Sequence, residues 1–333
     1  MKISVAMATY NGAEWISEQL DSFLSQARLP DELVITDDQS RDATVEIARA
    51  FGRRAPFAVK VEVNENTLGV RGNFERALSL CTGDVILLCD QDDTWFDTKI
   101  ERHIALLEHV DRPACVMTDA VLTDGALNAT GRTKLGALRA AGLPDRDFVM
   151  GCCVGMRRDL LDLALPIPST AGAHDSWVVG LSDALGLTLR VEEAHQLYRR
   201  HGKNESQFFV NAVETPRLGQ RLRDGVARLR RRIGSPAGAD QELRDLGAIG
   251  ERIADRRAAV VSLIGEDRTA WIQGDLSGRH DILLRRREIR RLPLLNRIRA
   301  AAALWREGGY RRSGGVAGLL KDVVSLDLVR QTQ

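Results

Sequence analysis

The stretch Asp84-Val85-Ile86-Leu87-Leu88-Cys89-Asp90-Gln91-Asp92-Asp93-Thr94-Trp95 decides how this chain is read. Its apolar run, residues 85–89, has strand length and reads as a strand buried on both faces. That strand delivers three carboxylates within four residues, then a tryptophan. Carboxylates this close repel one another, and each resists ionising if buried alone. A divalent cation or strong hydrogen-bond donors among them relieve the conflict. An all-oxygen set suits Mg²⁺ or Mn²⁺ rather than zinc. Alternate residues of an extended chain share a face, which predicts Asp90 and Asp92 aimed at one ion and Asp93 pointing elsewhere. The competing explanation is a solvated acidic turn after a strand.

Outward from this stretch, short apolar runs alternate with amphipathic segments. Residues 3–8, 33–36 and 59–63 read as strands. Residues 13–26, 42–51 and 72–81 read as helices; Trp15, Ile16, Leu20, Phe23 and Leu24 make an apolar stripe in the first. Such alternation predicts an α/β fold with a mostly parallel sheet covered by helices. Ligands of such sheets sit beyond the carboxyl ends of the strands. Thr9-Tyr10-Asn11, Asp37-Asp38 and Asp90 to Asp93 all follow strand ends, so they are expected to share one site. Further on, residues 114–117 and 187–191 read as strands and 174–185 as a helix. The Gly234-Ser235-Pro236-Ala237-Gly238 segment reads as a break. Helical patterns follow over 241–264, 269–287 and 294–306.

Each cluster has a bland explanation beside the functional one. Asn11 fits a plain Asx turn between strand and helix. Ser40 or Asp38 fits a helix cap, with Asp42 favoured by the helix dipole, but capping does not account for both Asp37 and Asp38. Arg71 falls near the first turn of a helix, where a cation opposes the dipole; a phosphate or the acidic cluster is the better partner. No Gly-x-Gly-x-x-Gly follows the first strand, which counts against a dinucleotide-dependent oxidoreductase.

Taken in order, Thr9-Tyr10-Asn11, Asp37-Asp38-x-Ser40-x-Asp42, the turn of residues 64–73 with Arg71, and Asp90-x-Asp92-Asp93-x-Trp95 resemble the family 2 glycosyltransferases. The Asp-Gln-Asp-Asp-x-Trp form is similar to bacterial rhamnosyltransferase-like members, and the resemblance covers about residues 1–210. It implies a GT-A fold, a nucleoside-diphosphate-sugar donor and inversion at the anomeric carbon. It also implies that Thr9, Tyr10, Asn11 and Asp38 hold base and ribose, with Arg71 near the nucleotide. Asp90 would bind ribose or metal, Asp93 would serve donor binding, and Asp92 would ligate Mg²⁺ or Mn²⁺. The cation would take up charge on the departing diphosphate as a Lewis acid.

Inversion requires a base opposite the leaving group, and His174-Asp175-Ser176-Trp177 supplies Asp175 for that role. The alternative is a helix N-terminus that favours an acid. His201 matches the late histidine that several GT-A enzymes use as a further metal ligand, against a surface histidine in a basic turn. Trp95 and Trp177 are candidates for packing on a sugar face, against burial in the core. Gln196-Leu197-Tyr198-Arg199-Arg200 lacks the tryptophan of the processive synthases, so single sugar addition is expected.

The net charge of +1 conceals an asymmetry. Residues 1–214 hold 22 basic and 32 acidic side chains, and residues 215–333 hold 25 and 14. The expectation is a glycosyltransferase domain over 1–214 and a basic helical region over 215–333. Arginine clusters at 228–232 and 285–291 and the Leu, Ile and Trp of 292–305 suit an amphipathic helix lying on anionic lipid. A bundle with a solvated charged face is the alternative; no recognition motif supports nucleic acid. Five cysteines without Cys-x-x-Cys spacing, and no signal-peptide pattern, place the protein in the cytoplasm, with the inner face of the plasma membrane as its peripheral site. The expected reaction moves a sugar, with dTDP-rhamnose as the candidate donor, to a cell-surface glycan or lipid-linked precursor. The rivals are a sugar nucleotidyltransferase, which lacks its glycine-rich phosphate loop here, and a non-catalytic nucleotide- or glycan-binding protein.

Overall fold

Strand β1 (Ile3–Thr9) is apolar almost throughout, because it is central and covered on both faces. In the computed structural model, which describes residues 1–109, 113–202 and 236–324, β1 lies between β2 (Glu32–Asp37) and β4 (Val85–Cys89). Both pairings are parallel, and β3 (Ala58–Val63) extends the parallel run beyond β2. Helices α1 (Ile16–Leu24), α2 (Thr44–Gly52) and α3 (Gly69–Leu80) make the crossovers. Ile3, Val5 and Met7 of β1 share one face with Leu33 and Ile35 of β2 and Val85, Leu87 and Cys89 of β4. Against that face pack Ile16, Leu20 and Phe23 of α1, which satisfies the period-2 and period-3.6 patterns together.

Past β4 the sheet becomes mixed. Its order is β3-β2-β1-β4-β8-β6-β9-β5, with β7 (Ala129–Thr133) off the path beside β6. Strand β8 (Val154–Arg157) runs antiparallel between β4 and β6 (Cys115–Thr123). Strand β9 (Thr188–Arg199) is parallel to β6 and antiparallel to the two-residue β5 (Thr94–Trp95). Helices α4 (Lys99–Leu107), α5 (Lys134–Ala140), α6 (Arg158–Ala164) and α7 (His174–Leu185) complete this part. The strand expected over 187–191 is thus twelve residues long. Its polar second half has no apolar alternation, and β6 shifts register against it at two places, so pairing rather than periodicity makes it a strand.

The chain divides into two compact units, Met1–Ile167 with Ala173–Glu214, and Pro168–Gly172 with Thr215–Gln333. The described part of the second unit is helical: α8 (Pro236–Asp255), α9 (Arg257–Ile264), α10 (Glu266–Arg291), α11 (Leu294–Arg306) and α12 (Gly315–Val324). The break expected near Pro236 is instead the start of α8, a position where a missing N–H costs nothing. Gly234, Ser235 and the arginine cluster at 228–232 lie outside the described residues. Ile289, Ala301, Leu304 and Tyr310 form a small core. Beside it Arg286 donates through Nε to Asp322 Oδ2 at 2.6 Å, and Tyr310 Oη donates to the same oxygen at 2.8 Å. No described helix is long and apolar enough to cross a membrane.

At the amino ends of the parallel strands, Glu32 accepts from the Ser4 hydroxyl and from the Thr82 N–H and hydroxyl. Burial opposes its ionisation, yet these bonds hold its pKa down to about 2. A carboxyl depressed in the folded state stabilises fully above its unfolded value, and that contribution is lost as pH falls from about 4.5 to about 2. Glu32→Gln is expected to cost roughly 1–2 kcal/mol at pH 7. It should also flatten the acid limb of stability, read as the urea midpoint between neutral and acid pH.

Candidate active site

The turn after β1 is assembled by hydrogen bonds from two neighbouring loops. Thr9 Oγ1 donates to Asp37 Oδ2 at 2.8 Å. Asn11 is left-handed, with φ 47°, which asparagine tolerates better than most side chains. Its N–H donates to Ser40 Oγ at 2.8 Å and its Oδ1 accepts from the Arg41 N–H at 2.9 Å. Gln91 grips the neighbouring peptide at both ends: Tyr10 N–H donates to Gln91 Oε1 at 2.9 Å, and Gln91 Nε2 donates to Tyr10 O at 3.0 Å. The Tyr10 ring is left exposed.

The two acids ending β2 have separate duties. Asp37 is buried and accepts from the Ser40 N–H at 2.7 Å and the Ser40 hydroxyl at 2.6 Å, closing its own turn. Asp38, expected at base and ribose, is also buried. It accepts from Asn64 Nδ2 at 2.9 Å and from the Leu68 and Gly69 N–H groups at 2.7 and 2.9 Å. It thereby satisfies orphan donors at the start of α3, and most of its acceptor capacity is spent there. Arg71 sits in the first turn of that helix, half-buried.

The acidic cluster differs from the alternation rule. Strand β4 ends at Cys89, so beyond it the chain no longer sends alternate residues to opposite faces. Asp93 turns inward, and ligating atoms of Asp90, Asp93 and Cys152 lie within 4.8 Å of one another. Asp93 is fully buried and accepts from Gln196 Nε2 at 2.9 Å and the Arg199 N–H at 3.1 Å. Burial, then Asp92 and Asp90, raises its pKa well above the usual range. Burial, then Asp92 and Asp175, pushes Asp90 up to about 7. A buried lysine stands behind the cluster. Lys99 Nζ donates to Cys152 O at 2.6 Å and to Gln196 Oε1, and lies 4.1 Å from the centroid of the Trp95 ring.

Asp92 faces outward from that trio. Its Oδ2 lies 2.8 Å from His201 Nε2, at the end of β9. The His201 ring stacks on Trp15, with centroids 3.8 Å apart and planes 13° from parallel. Arg199, also buried, donates through Nε to Asp92 O at 2.8 Å and through Nη1 to Gly125 O at 2.7 Å, and it pairs with Glu18. The start of α1 and the end of β9 therefore hold the Asp92 loop from both sides.

Asp175 opens α7. Its Oδ2 accepts from the Gly151 N–H at 3.1 Å and its Oδ1 from the Ser176 N–H at 2.7 Å. Its charge is one of the causes raising Asp90, so the two carboxyls lie close enough to repel each other. Neighbouring His174 is buried against Phe74, rings stacked at 3.8 Å; burial, opposed by Asp175, lowers its pKa and keeps the ring neutral. The two tryptophans offered for sugar packing are core residues. Trp95 packs edge-on against Phe23 at 4.9 Å, and Trp177 is buried with Nε1 donating to Ala164 O at 2.9 Å. Neither presents a ring face to a ligand, because each follows its acidic motif into the interior. Sequence reasoning did not assign Trp15, Glu18, Gln91, Lys99, Cys152, Gln196 or Arg199 to the site. Of these, Gln196 and Arg199 carried a signal as the near match to the synthase motif, and Gln91 as part of the Asp-Gln-Asp-Asp-x-Trp form.

Comparison with known proteins agrees with this geometry. Residues 4–163 match the model described as glycosyl transferase family 2. An uncharacterized protein of Mycobacterium tuberculosis is 28% identical over 211 residues, covering 60% of this chain and 59% of that protein. The chain thus spans about three-fifths of that relative's length. The dTDP-rhamnosyl transferase RfbG of Shigella flexneri is 38% identical over 105 residues, 30% of this chain and 36% of that protein. Among solved structures, residues 1–349 of S. aureus TarS in complex with UDP share the GT-A fold, with TM-score 0.51 and 16% identity over 97% of this chain and 89% of that one.

Gly12 sits where the Gln91 clamp passes closest. A Cβ there would lie 2.2 Å from Gln91 Oε1, so Gly12→Ala must displace that side chain and break both bonds to Tyr10. The bonds are exposed, so the expected loss is about 1 kcal/mol. It is measured as a lowered urea midpoint, whereas Gln91→Ala should give a similar loss and no further loss in the double variant.

Proposed function

We propose, from the match of residues 4–163 to the glycosyl transferase family 2 model, that this chain is a glycosyltransferase moving a single sugar from a nucleoside diphosphate to a hydroxyl, with inversion, using Mg²⁺ or Mn²⁺. One observation carries the reading: the Asp92–His201 pair and Asp90 stand together, and the charge of Asp175 reaches Asp90. The residues present fit a divalent cation. An oxygen and an imidazole nitrogen already meet at 2.8 Å, and burial with the charges of Asp92 and Asp175 raises the Asp90 carboxyl beside them, a cost that a cation would relieve. Cys152 is a poor ligand, since burial first, with Asp93 and Asp90, raises its thiol well above the usual range.

The roles follow from position. Tyr10, exposed above the clamped turn of Thr9 and Asn11, offers a ring to the base. Arg71 faces the diphosphate from the first turn of α3. Asp92 and His201, with Asp90, hold the cation. When bound, it would neutralise charge on the leaving nucleoside diphosphate. Asp93 supports the loop from behind, tied to Gln196 and the backbone of β9. Asp175, held by two backbone N–H groups, takes the proton from the acceptor hydroxyl. Similarity to the Shigella dTDP-rhamnosyl transferase supports dTDP-rhamnose as donor and a surface-glycan or lipid-linked precursor as acceptor. Five unpaired, buried cysteines suit a reducing compartment, which supports a cytoplasmic enzyme. The basic helical unit from residue 215 is read as a separate domain from the transferase domain of 1–214.

Asp175→Asn is expected to lower transfer by roughly 10²–10⁴. Thermal stabilisation by nucleoside diphosphate with Mn²⁺ should be unchanged, because the substitution leaves the donor side intact; near-normal transfer would remove Asp175 as the base. Separately, a panel of nucleoside diphosphates should raise the melting temperature most for the thymidine form. His201→Ala should abolish the part of that shift that depends on Mn²⁺.

A further inference from the structure

Helix α11 carries two apolar stripes, and among the described residues only one packs into the core of its unit. The inner stripe places Ala301 and Leu304 in the core with Ile289 and Tyr310. The outer stripe is Leu295, Ile298, Ala302 and Trp305, spaced i, i+3, i+7 and i+10, with Leu294 beside it. Its large members, Leu294, Leu295, Ile298 and Trp305, are between 40% and 73% exposed. Arg299 and Arg306, both exposed, border this stripe on the side away from the core. Helix α12, which packs on α11 through Leu319 and Val323, repeats the arrangement with Val316, Leu320 and Val324 exposed at i, i+4 and i+8.

We propose that the outer stripe of α11, with its arginine border, is a docking surface for an anionic lipid bilayer. Charge decides the occupant. Residues 294–311 hold four arginines and one glutamate, Glu307, which pairs with Arg285. A second copy of this chain seated on the stripe would bring Arg299 and Arg306 against the same arginines of its partner, a like-charge contact that costs binding. An anionic bilayer reverses that term. Guanidinium groups meet headgroup phosphates while Leu295 and Ile298 enter the acyl boundary. Trp305, apolar with one N–H, suits the headgroup level. Thirteen residues make a helix about 20 Å long, suited to lying in the interface rather than crossing it. This inference does not rest on the donor, metal or base assigned above.

The test uses the full chain without nucleotide or acceptor, floated with vesicles of neutral phosphatidylcholine or of phosphatidylcholine with phosphatidylglycerol. Binding is expected only to the anionic vesicles and should fall with salt. Arg299→Gln with Arg306→Gln should weaken it about 30-fold, the worth of two interfacial cations. Leu295→Glu with Ile298→Glu should abolish it, while melting temperature and helical circular dichroism match the wild type, since these side chains are outside the core. Equal binding to neutral vesicles, or full binding by the glutamate variant, would overturn the proposal. So would a concentration-dependent dimer that the glutamate variant dissolves in a protein that ignores both vesicles.

Discussion

Three carboxylates at the end of one buried strand are the constraint around which the first unit is arranged. Burial and mutual repulsion both disfavour their ionisation, and Asp90 and Asp93 register that cost as raised pKa values. The fold answers with donors rather than exposure. Gln196 and the Arg199 N–H satisfy Asp93, and Lys99 supplies a buried positive charge one side chain away. Asp92, left on the open side, is matched by His201. This division separates Asp93, held from inside by Gln196 and the β9 backbone, from Asp92, paired with His201. It also explains why β9 must run its full length: without its polar second half, Gln196, Arg199 and His201 would not reach the cluster.

The same logic governs the loops that follow β1 and β2. Asp37 and Asp38 look like a ligand pair in the sequence, yet each is spent on backbone N–H groups of a turn or a helix start. Their contribution is rigidity: they fix the turn after β1 and the start of α3, so that Tyr10 stands exposed on clamped backbone. Gln91 joins this frame to the acidic loop through its paired bonds to Tyr10. Movement in one loop is thus resisted by the other.

The helical unit solves a different problem. An arginine-rich sequence would repel itself, and Arg286 is drawn into the core only because Asp322 and Tyr310 enclose it with complementary groups. Other arginines pair with carboxylates, as Arg285 does with Glu307, while exposed Arg299 and Arg306 border the outer stripe of α11. A surface of that composition is poorly matched to a copy of itself.

Local patterns were enough to establish the parallel half of the sheet, its helices and the acidic loop beyond β4, because strand and helix periodicity reflect which face is buried. Residue chemistry in order likewise singled out Asp92 and His201, whose side chains meet at 2.8 Å in the fold. What only the tertiary structure decided was which acids face inward. Asp93 rather than Asp92 joined Asp90, Trp95 and Trp177 entered the core, and Asp38 went to a helix start. Lys99 and Gln196 meet across 97 positions and Trp15 meets His201 across about 190, and no local window holds that information. The physical reason is that alternation ends with the strand. Past Cys89, direction is set by which buried donors the rest of the fold brings within hydrogen-bond reach.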